Sequence, residues 1–308
     1  FSDDPLRMLR AVRFASQLGF NIDQKTKDSI IENSNRLTIL SPERIADEIN
    51  KILMCDNPSS GFKNLEILKL LKIIIPELID LKGVEEVEGQ THKDNFYHTL
   101  EVVDNISKNT DNLWLRWAAL LHDIGKAPTK KFDKKIGWTF HGHEYMGSKM
   151  VKNIFKRLSL PLNETLKYVQ KIVMMSSRPI IISEDIVTDS AVRRLIYDSG
   201  DSMDDLLTLC EADITTKNLK KSLKYQNNFK IVRNKIKAVE ERDSIRNFQP
   251  PITGEIIMNH FKIKPCKEIG IIKEKIKNAI LDGEIINDYD QAFELMLKIG
   301  ESIGLKDE

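Results

Sequence analysis

The sequence predicts an all-α protein, and two observations support that prediction. Apolar residues recur at steps of three and four along most of the chain, which is the spacing of one helix face. Between 225 and 239, apolar or aromatic side chains stand at Tyr225, Phe229, Val232, Ile236 and Val239. Strand patterns are few, and the stretch IGWTFHG is long enough only for a short extended piece.

Two N-terminal segments carry start and stop signals typical of helices. From Leu6 to Phe14 the apolar side chains repeat at helix-face spacing, and Gly19 marks the end of that segment. In SPERIADEINKIL, Ser41 is the predicted N-cap and Pro42 the predicted first helical residue. Both segments are therefore expected to be amphipathic helices.

Two further segments follow the same pattern. The stretch GFKNLEILKLLKIIIPEL predicts one helix that is closed by Pro76. The stretch DNLWLRWAALLHDIGK predicts an apolar helix that stops at Gly125. We expect this glycine to let the chain turn away without covering the His-Asp pair before it.

Length and composition indicate a folded protein of about two domains, because 308 residues with 41% hydrophobic content can build a substantial core. The three cysteines match no disulfide or zinc-finger spacing, which predicts a reducing, cytoplasmic location. No apolar run reaches the length of a membrane span. The net charge is only +1, but residues 214–242 hold nine Lys and Arg against two Glu. The positive charge is therefore concentrated in one segment.

The histidines suggest a metal site. Five of the six fall between 92 and 143. His98 lies inside the helical stretch NFYHTLEVVDNI, and His122 and Asp123 follow directly on an apolar helix. Mixed His and Asp ligation suits a divalent ion such as Mn²⁺, Fe²⁺, Ni²⁺, Zn²⁺ or Mg²⁺. Such an ion favours hydrolysis of a phosphate ester. The alternative is that these side chains cap helices or satisfy buried polar groups.

The order His98, His122-Asp123, Asp213 resembles the H…HD…D signature of the HD-domain metal-dependent phosphohydrolases. The resemblance implies that all four are metal ligands. It also implies a catalytic set of His122, Asp123, Lys126 and His143, with Lys126 meeting the substrate phosphate. The family leads us to expect a histidine near MMSSRP, where this sequence has Ser176 and Ser177. That difference favours one metal ion over two.

A second resemblance lies at the N-terminus. DDPLRMLRAVRFA is similar to the base-recognition motif of class II tRNA nucleotidyltransferases (CCA-adding enzymes) and bacterial poly(A) polymerases. The resemblance implies that Asp4 and Arg7 read the Watson–Crick edge of an incoming nucleotide, with Arg10 and Arg13 near its triphosphate or the RNA backbone. At that edge a carboxylate can accept a hydrogen bond from the exocyclic amine of C or A, and a guanidinium can donate to a ring nitrogen or carbonyl. The alternative is a set of weak ion pairs on a helix surface.

The second resemblance extends over essentially the whole chain, and it implies an elongated neck-body-tail helical array that contains an HD-domain bundle. The predicted parts are a neck and body at 1–80, an HD phosphohydrolase domain at 81–215 and an RNA-binding tail at 216–308. In the tail, the helix that opens near Glu268 is expected to meet an RNA phosphate. The Lys-rich segment is expected to supply affinity for the RNA backbone, unless it is only a solvated helix face.

The catalytic head of that family is not found in the sequence. No strand here carries a Gly-rich loop with an Asp-x-Asp cluster that could hold Mg²⁺ beside a nucleoside triphosphate. We therefore expect a C-terminal portion that adds no nucleotides by itself, from a parent enzyme that uses ATP or CTP.

The function predicted for this portion has three parts: base recognition, binding of tRNA or other RNA in tRNA 3′-end processing, and phosphohydrolase activity. Two alternatives stay open. One is a free-standing HD phosphohydrolase acting on nucleotides or 2′,3′-cyclic phosphates. The other is a non-enzymatic RNA-binding module with a degenerate HD pocket.

Overall fold

A computed structural model describes residues 1, 3–180, 188–216, 218–243, 245–246 and 248–305. Within them the all-α prediction is confirmed, because strands are limited to two short antiparallel hairpins. The first hairpin pairs β1 (Glu86–Val87) with β2 (Gln90–Thr91). The second pairs β3 (Lys131–Asp133) with β4 (Gly137–Thr139), so the IGWTFHG stretch is the short extended piece that was expected.

The helices of the described residues are given in chain order. They are α1 (Leu6–Leu18), α2 (Gln24–Asn33), α3 (Pro42–Leu53), α4 (Pro58–Ile67), α5 (Leu71–Ile74), α6 (Pro76–Ile79), α7 (Asn95–Ser107), α8 (Leu113–Leu121), α9 (Lys126–Thr129), α10 (His143–Arg157), α11 (Glu164–Met175), α12 (Asp189–Ser199), α13 (Met203–Ala212), α14 (Leu219–Asp243), α15 (Gly254–Phe261), α16 (Lys267–Asp282) and α17 (Tyr289–Ser302). Short 3₁₀ turns follow α2, at Ser34–Ile39, and α12, at Gly200–Ser202.

Several helix ends fall where the sequence predicts them. Helix α1 stops at Gly19, whose φ of 68° lies in the left-handed region that glycine adopts at low cost. Helix α3 starts at Pro42 after Ser41, although the Ser41 side chain makes no capping hydrogen bond. Helix α7 is capped by Asp94, whose carboxylate accepts from the backbone N–H groups of Phe96 and Tyr97.

The single helix predicted over 61–75 is wrong. The chain breaks after α4 at Lys69, whose φ of 62° is left-handed, and resumes as the short helix α5. The break buries Leu68, Leu70 and Leu71 together, which one continuous helix face could not do. Pro76 opens α6 instead of ending a helix, in agreement with its preference for the first helical position.

The chain divides into two compact units. The first unit comprises Phe1–Ile180 and Ser202–Gln226, and the second comprises Ile181–Asp201 and Asn227–Glu308. Large buried aromatic side chains of the first unit include Trp117 and Phe155. The predicted parts 1–80, 81–215 and 216–308 stay a prediction, because compactness divides a chain by contacts and not by function.

In the first unit, Arg116 of α8 is buried, with 3% of its side chain exposed. Its Nη1 donates to the backbone carbonyls of Leu53 and Cys55, at 3.0 and 3.1 Å. Nearby, the backbone N–H of Ser59 donates to the Asp104 carboxylate at 2.8 Å. The N-terminal helices and the α7–α8 pair are therefore joined by buried polar contacts as well as by apolar packing.

In the second unit, α12 packs against α16 through a bidentate ion pair. Both Arg194 Nε and Nη2 donate to the Asp282 carboxylate, at 2.7–3.0 Å. Helix α14 buries Phe229, Val232, Ile236 and Val239, which confirms the predicted apolar face. No helix among the described residues is long and apolar enough to cross a membrane.

Candidate metal centre and base-reading helix

Four of the predicted ligands lie together in the first unit, although they come from three helices. His98 lies on α7, His122 and Asp123 directly follow α8, and Asp213 directly follows α13. His98 Nε2 is 2.7 Å from Asp213 Oδ1 and 3.7 Å from Asp123 Oδ2. His122 Nε2 is 3.4 Å from Asp123 Oδ2 and 3.7 Å from Asp213 Oδ1.

Two histidines are oriented by backbone carbonyl groups. His122 Nδ1 donates to the Ala119 carbonyl at 2.8 Å, and His143 Nδ1 donates to the Phe140 carbonyl at 2.9 Å. Because Nδ1 of each ring is hydrogen-bonded to a backbone carbonyl, Nε2 is the ring atom that faces the cluster. His143 Nε2 lies 3.7 Å from Asp123 Oδ1, so the structure also brings this residue to the site.

His98 is oriented by two residues that sequence reasoning missed. Thr215 Oγ1 lies 3.1 Å from His98 Nδ1, and Lys93 Nζ lies 2.7 Å from the same atom. Neither Thr215 nor Lys93 is part of a motif that could be recognised in the sequence. Thr215 stands only two residues after Asp213, and that proximity was the one available signal.

The charges of the cluster are strongly coupled. Burial disfavours a charged imidazole, yet Asp123 and Asp213 outweigh it and raise the pKa of His122 to about 10. Burial likewise disfavours the charged carboxylates, but His122 and Lys126 hold the pKa of Asp123 well below its usual range. The polar hydrogens of the neighbouring His122 and His98 rings do the same for the pKa of Asp213. Without a metal, positive imidazole and negative carboxylate groups therefore balance each other.

The residues present fit a divalent metal ion. Ligand atoms of His98, His122 and Asp213 all lie within 4.8 Å of one another. Among the described residues, the buried atoms His122 Nε2 and Asp213 Oδ1 have no well-oriented hydrogen-bond partner. Buried polar atoms are rarely left in that state, and a cation between them would satisfy both. Imidazole nitrogen with carboxylate oxygen suits Mn²⁺, Fe²⁺, Ni²⁺ or Zn²⁺ better than Mg²⁺.

Lys126 and Ser177 occupy positions around this centre. Lys126 Nζ donates to Asp123 Oδ2 at 2.6 Å, which places a positive charge beside the cluster. A histidine was expected at Ser176 or Ser177; Ser176 donates through Oγ to the Val173 carbonyl at 3.0 Å, and Ser177 donates through Oγ to the carboxylate of Glu144. Glu144 Oε2 in turn lies 3.3 Å from His143 Nδ1. Ser177 therefore supports the neighbour of His143 and does not itself reach the predicted ligands.

Gly125 has a different role from the predicted one. Its φ of −72° and ψ of −11° are ordinary for any residue, so no turn requires a glycine there. A Cβ at this position would lie 2.0 Å from the His143 carbonyl oxygen and 2.6 Å from the Gly147 nitrogen. Gly125 therefore allows the backbone of α10 to approach closely, and that approach brings His143 to the centre.

The predicted base-reading pair lies at the start of α1. Asp4 precedes the helix, and its carboxylate accepts from the Leu6 N–H at 3.2 Å and lies 3.6 Å from Arg44 Nη2. Arg7 and Arg10 are exposed on α1. The pairing of Asp4 with Arg44 links this motif to the first turn of α3, in the stretch SPERIADEINKIL.

Arg13 differs from the other three residues of that set. Its Nε donates to Glu48 Oε2 of α3 at 2.8 Å, and Glu48 is almost completely buried. Lys51 Nζ lies farther from the same carboxylate, at 3.4 Å. The guanidinium of Arg13 is thus committed to the contact between α1 and α3, and its predicted part in nucleotide or RNA binding stays a prediction.

Replacing Arg13 with alanine is expected to lower the free energy of unfolding by about 3 kcal/mol, because it leaves the buried Glu48 carboxylate without its nearest cation. Chemical denaturation measures this change. Arg10→Ala is the matched control, since Arg10 is exposed on the same helix and should change stability little. Unchanged stability together with weaker ATP binding in Arg13→Ala would instead make Arg13 a nucleotide contact.

The two features predicted to bind RNA, the lysines of α14 and the start of α16, lie at the protein surface. Five lysines of α14 are exposed: Lys220, Lys221, Lys224, Lys230 and Lys237. Helix α16 begins at Lys267, one residue before Glu268. The Cys266 side chain and the backbone N–H of Glu268 hydrogen-bond the Glu268 carboxylate and lower its pKa. The first turn of α16 thus already holds one anion, and its contact with an RNA phosphate stays a prediction.

Comparison with known proteins finds two family domains. Residues 19–81 match a domain described as "Probable RNA and SrmB- binding site of polymerase A", and residues 95–215 match the HD domain. The second match spans His98, His122, Asp123 and Asp213. Along the chain, a region similar to the first of these domains is therefore followed by a region similar to the second.

Its homologues are CCA- and A-adding tRNA nucleotidyltransferases, which confirms the predicted resemblance. The A-adding tRNA nucleotidyltransferase of Deinococcus radiodurans is 32% identical over 218 residues, which are 68% of this chain and 49% of that protein. The multifunctional CCA protein of Shewanella frigidimarina is 34% identical over 227 residues, which are 70% of this chain and 53% of that protein. The chain thus spans about half the length of the curated relatives it matches.

A solved structure shows the same fold. The Bacillus stearothermophilus CCA-adding enzyme, crystallised with CTP, aligns over 98% of this chain and 64% of its own chain, with a TM-score of 0.65 and 18% identity. At that identity the likeness concerns the fold alone.

Proposed function

We propose that the HD domain of this chain is a metal-dependent phosphohydrolase that acts on nucleotides or 2′,3′-cyclic phosphate ends. The observation that carries the proposal is that His98, His122 and Asp213 hold ligand atoms within 4.8 Å of one another, and that two of these atoms, His122 Nε2 and Asp213 Oδ1, have no well-oriented hydrogen-bond partner. A structural cluster would satisfy its own polar atoms. One that leaves them unsatisfied is suited to a ligand.

His98, His122, Asp123 and Asp213 would hold the ion. When bound, a divalent ion supplies positive charge that polarises a phosphoryl oxygen and favours attack of water on phosphorus. Lys126 lies 2.6 Å from Asp123 and can hold a substrate phosphate oxygen as a point charge. His143 faces the cluster through Nε2 and can move a proton to or from the reacting oxygen atoms. In a 2′,3′-cyclic phosphate, one P–O bond to the ribose breaks as the water oxygen bonds to phosphorus.

Metal removal tests this proposal. Dialysis against a chelator is expected to abolish hydrolysis of 2′,3′-cyclic AMP, and Mn²⁺ or Ni²⁺ should restore it. Since binding must displace a proton from His122, whose metal-free pKa is raised to about 10, metal affinity should rise with pH across the neutral range. Titration calorimetry in two buffers of different ionisation enthalpy measures the released proton. Hydrolysis that persists in the chelator would contradict the proposal.

We also propose that the chain works in tRNA 3′-end processing, as the C-terminal part of a CCA- or A-adding nucleotidyltransferase that uses ATP or CTP. Support comes from the homologues, from the RNA-binding domain at 19–81 and from the exposure of Arg7 beside Asp4. The proposed division of labour places base reading on α1 and contact with the RNA backbone on α14 and the tail.

Salt dependence tests the RNA part. Binding of tRNA should weaken steeply as salt rises, because lysines that neutralise phosphates release counterions. Replacing Lys220, Lys221 and Lys224 with glutamine should lower the slope of log K against log salt by about 2, since each lost phosphate contact removes somewhat less than one unit. Lys149, Lys152 and Lys156 on α10 are also exposed, and replacing these three with glutamine is the matched control. An equal loss in both variants would show that α14 contributes only general charge.

A further inference from the structure

The two hairpins of the first unit lie against each other beside the metal centre. Trp138 Nε1 on β4 donates to the Gln90 carbonyl on β2 at 3.1 Å. Lys130 Nζ, next to β3, pairs with Glu85, next to β1, at 2.5 Å. These contacts join two segments that are about 45 residues apart in sequence and that the predicted catalysis does not use.

Four aromatic rings line this junction, and we refer to them as the hairpin wall: His92, Phe132, Trp138 and Phe140. The His92 ring centroid lies 5.0 Å from that of Trp138 and 6.1 Å from that of Phe140, with the rings edge to face. Phe132 and Trp138 are 5.3 Å apart. All four side chains are only partly buried, so the wall keeps ring surface accessible to solvent.

The wall is connected to the centre at two points. Lys126 Nζ lies 5.9 Å from the Phe140 ring centroid and 2.6 Å from Asp123 Oδ2. The Phe140 carbonyl is also the group that orients His143. At the second point, His92 Nδ1 donates to the Lys93 carbonyl at 2.9 Å, and the Lys93 ammonium contacts His98. A ligand at the centre would therefore have ring surface within reach.

Positive charge accompanies the rings. Lys130 Nζ lies 5.7 Å from the Trp138 ring centroid, and Lys126 holds a similar position beside Phe140. Aromatic faces next to lysine ammonium groups form the combination that binds single-stranded nucleic acid, where bases stack on the rings and cations meet the phosphates. Both ammonium groups are already paired, Lys130 with Glu85 and Lys126 with Asp123, so it is the rings that favour a ligand, one with a flat aromatic part.

We propose that Trp138 and Phe140 determine the specificity of the metal centre by stacking on the nucleobase of its substrate. This inference rests on the proposed phosphohydrolase activity and adds to it the residues that would distinguish nucleotides from phosphate esters without a base. His92 and Phe132 pack edge to face with the Trp138 ring and hold it in place. The other role open to the wall is purely structural, in which case its rings only pack one hairpin on the other.

The test compares two cyclic phosphodiesters, 2′,3′-cyclic AMP and the base-free glycerol 1,2-cyclic phosphate. Trp138→Ala is expected to raise the KM for 2′,3′-cyclic AMP about tenfold or more, which is the effect of losing one base–aromatic stack. Neither kcat nor the KM for the glycerol ester should change. Trp138→Phe keeps a stacking ring and should restore most of the affinity. Equal effects on both substrates would overturn the proposal and leave the wall a packing element.

A binding measurement separates this inference from the proposed function. In the chelator-treated protein, AMP should quench tryptophan fluorescence, and the quenching should disappear in Trp138→Phe, which keeps Trp114 and Trp117. If neither ester is hydrolysed but this quenching is seen, the phosphohydrolase proposal fails and the hairpin wall still binds the base. If AMP causes no quenching, or if Trp138→Phe quenches like the natural protein, the stacking role is refuted.

Discussion

His122→Ala is expected to reduce hydrolysis of 2′,3′-cyclic AMP by about 10³-fold, because a bound metal contributes several kcal/mol of charge stabilisation and each 1.4 kcal/mol is about tenfold in rate. The substitution removes an inward-facing imidazole nitrogen and one of the cationic groups that balance the charges of Asp123 and Asp213. Initial rates and metal content of the purified variant measure both effects.

His141→Ala is the matched control for this substitution. It removes the same kind of side chain from an exposed position just before α10, so activity and metal content should stay unchanged. Asp213→Asn gives a second variant from a different helix and guards against a local folding defect in His122→Ala. Full activity in both folded variants would rule out the proposed centre.

Gly125→Ala is expected to lower the free energy of unfolding by about 3 kcal/mol and to remove most of the hydrolytic activity. A single methyl group here would collide with the backbone of α10 at the His143 carbonyl, and backbone cannot yield as a flexible side chain can. Because α10 would have to move, His143 should leave its position near Asp123. Thermal and denaturant unfolding, together with initial rates, measure the two losses.

Gly270→Ala provides the comparison. Gly270 lies within α16, and a Cβ there would meet no atom within 4 Å. This substitution is expected to raise the free energy of unfolding by about 0.5–1 kcal/mol, because alanine loses less backbone entropy than glycine in a helix. If Gly125→Ala behaved like Gly270→Ala, close approach of the backbone could not be the reason for glycine at position 125.

The predicted ligands could be found from sequence because a short ordered signature names them. Residue type and order along the chain are enough to select His98, His122-Asp123 and Asp213. The structure places these four side chains close together. The partners that orient them could not be found in this way. Lys93 and Thr215 contact His98 through positions that no pattern marks, and their placement depends on how α7 and α13 pack.

Two features that the local sequence pattern did not reveal, one of them the wrong single helix over 61–75, have a common physical origin. Apolar spacing over 61–75 is compatible with one long helix, but burial of three neighbouring leucines favours a left-handed break at Lys69. Arg13 shares a helix with Arg7 and Arg10, yet its partner Glu48 stands 35 residues away on α3. In the first case tertiary packing selected a broken helix over a continuous one, and in the second a distant partner distinguished Arg13 from its neighbours. The local sequence pattern does not contain either contact.

The buried guanidinium of Arg116 has a consequence for how the protein unfolds. It stands in the region at 95–215 that matches the HD domain, while the carbonyls of Leu53 and Cys55 that accept from it belong to the region at 19–81 that matches the polymerase A domain. Separating the two would take the donor from both carbonyls and leave the guanidinium only its partners Ser107, Thr110 and Asp111. That loss is large compared with the marginal stability of a domain. The two family domains are thus expected to melt in a single cooperative transition, so the evolutionary boundary between them is not a folding boundary.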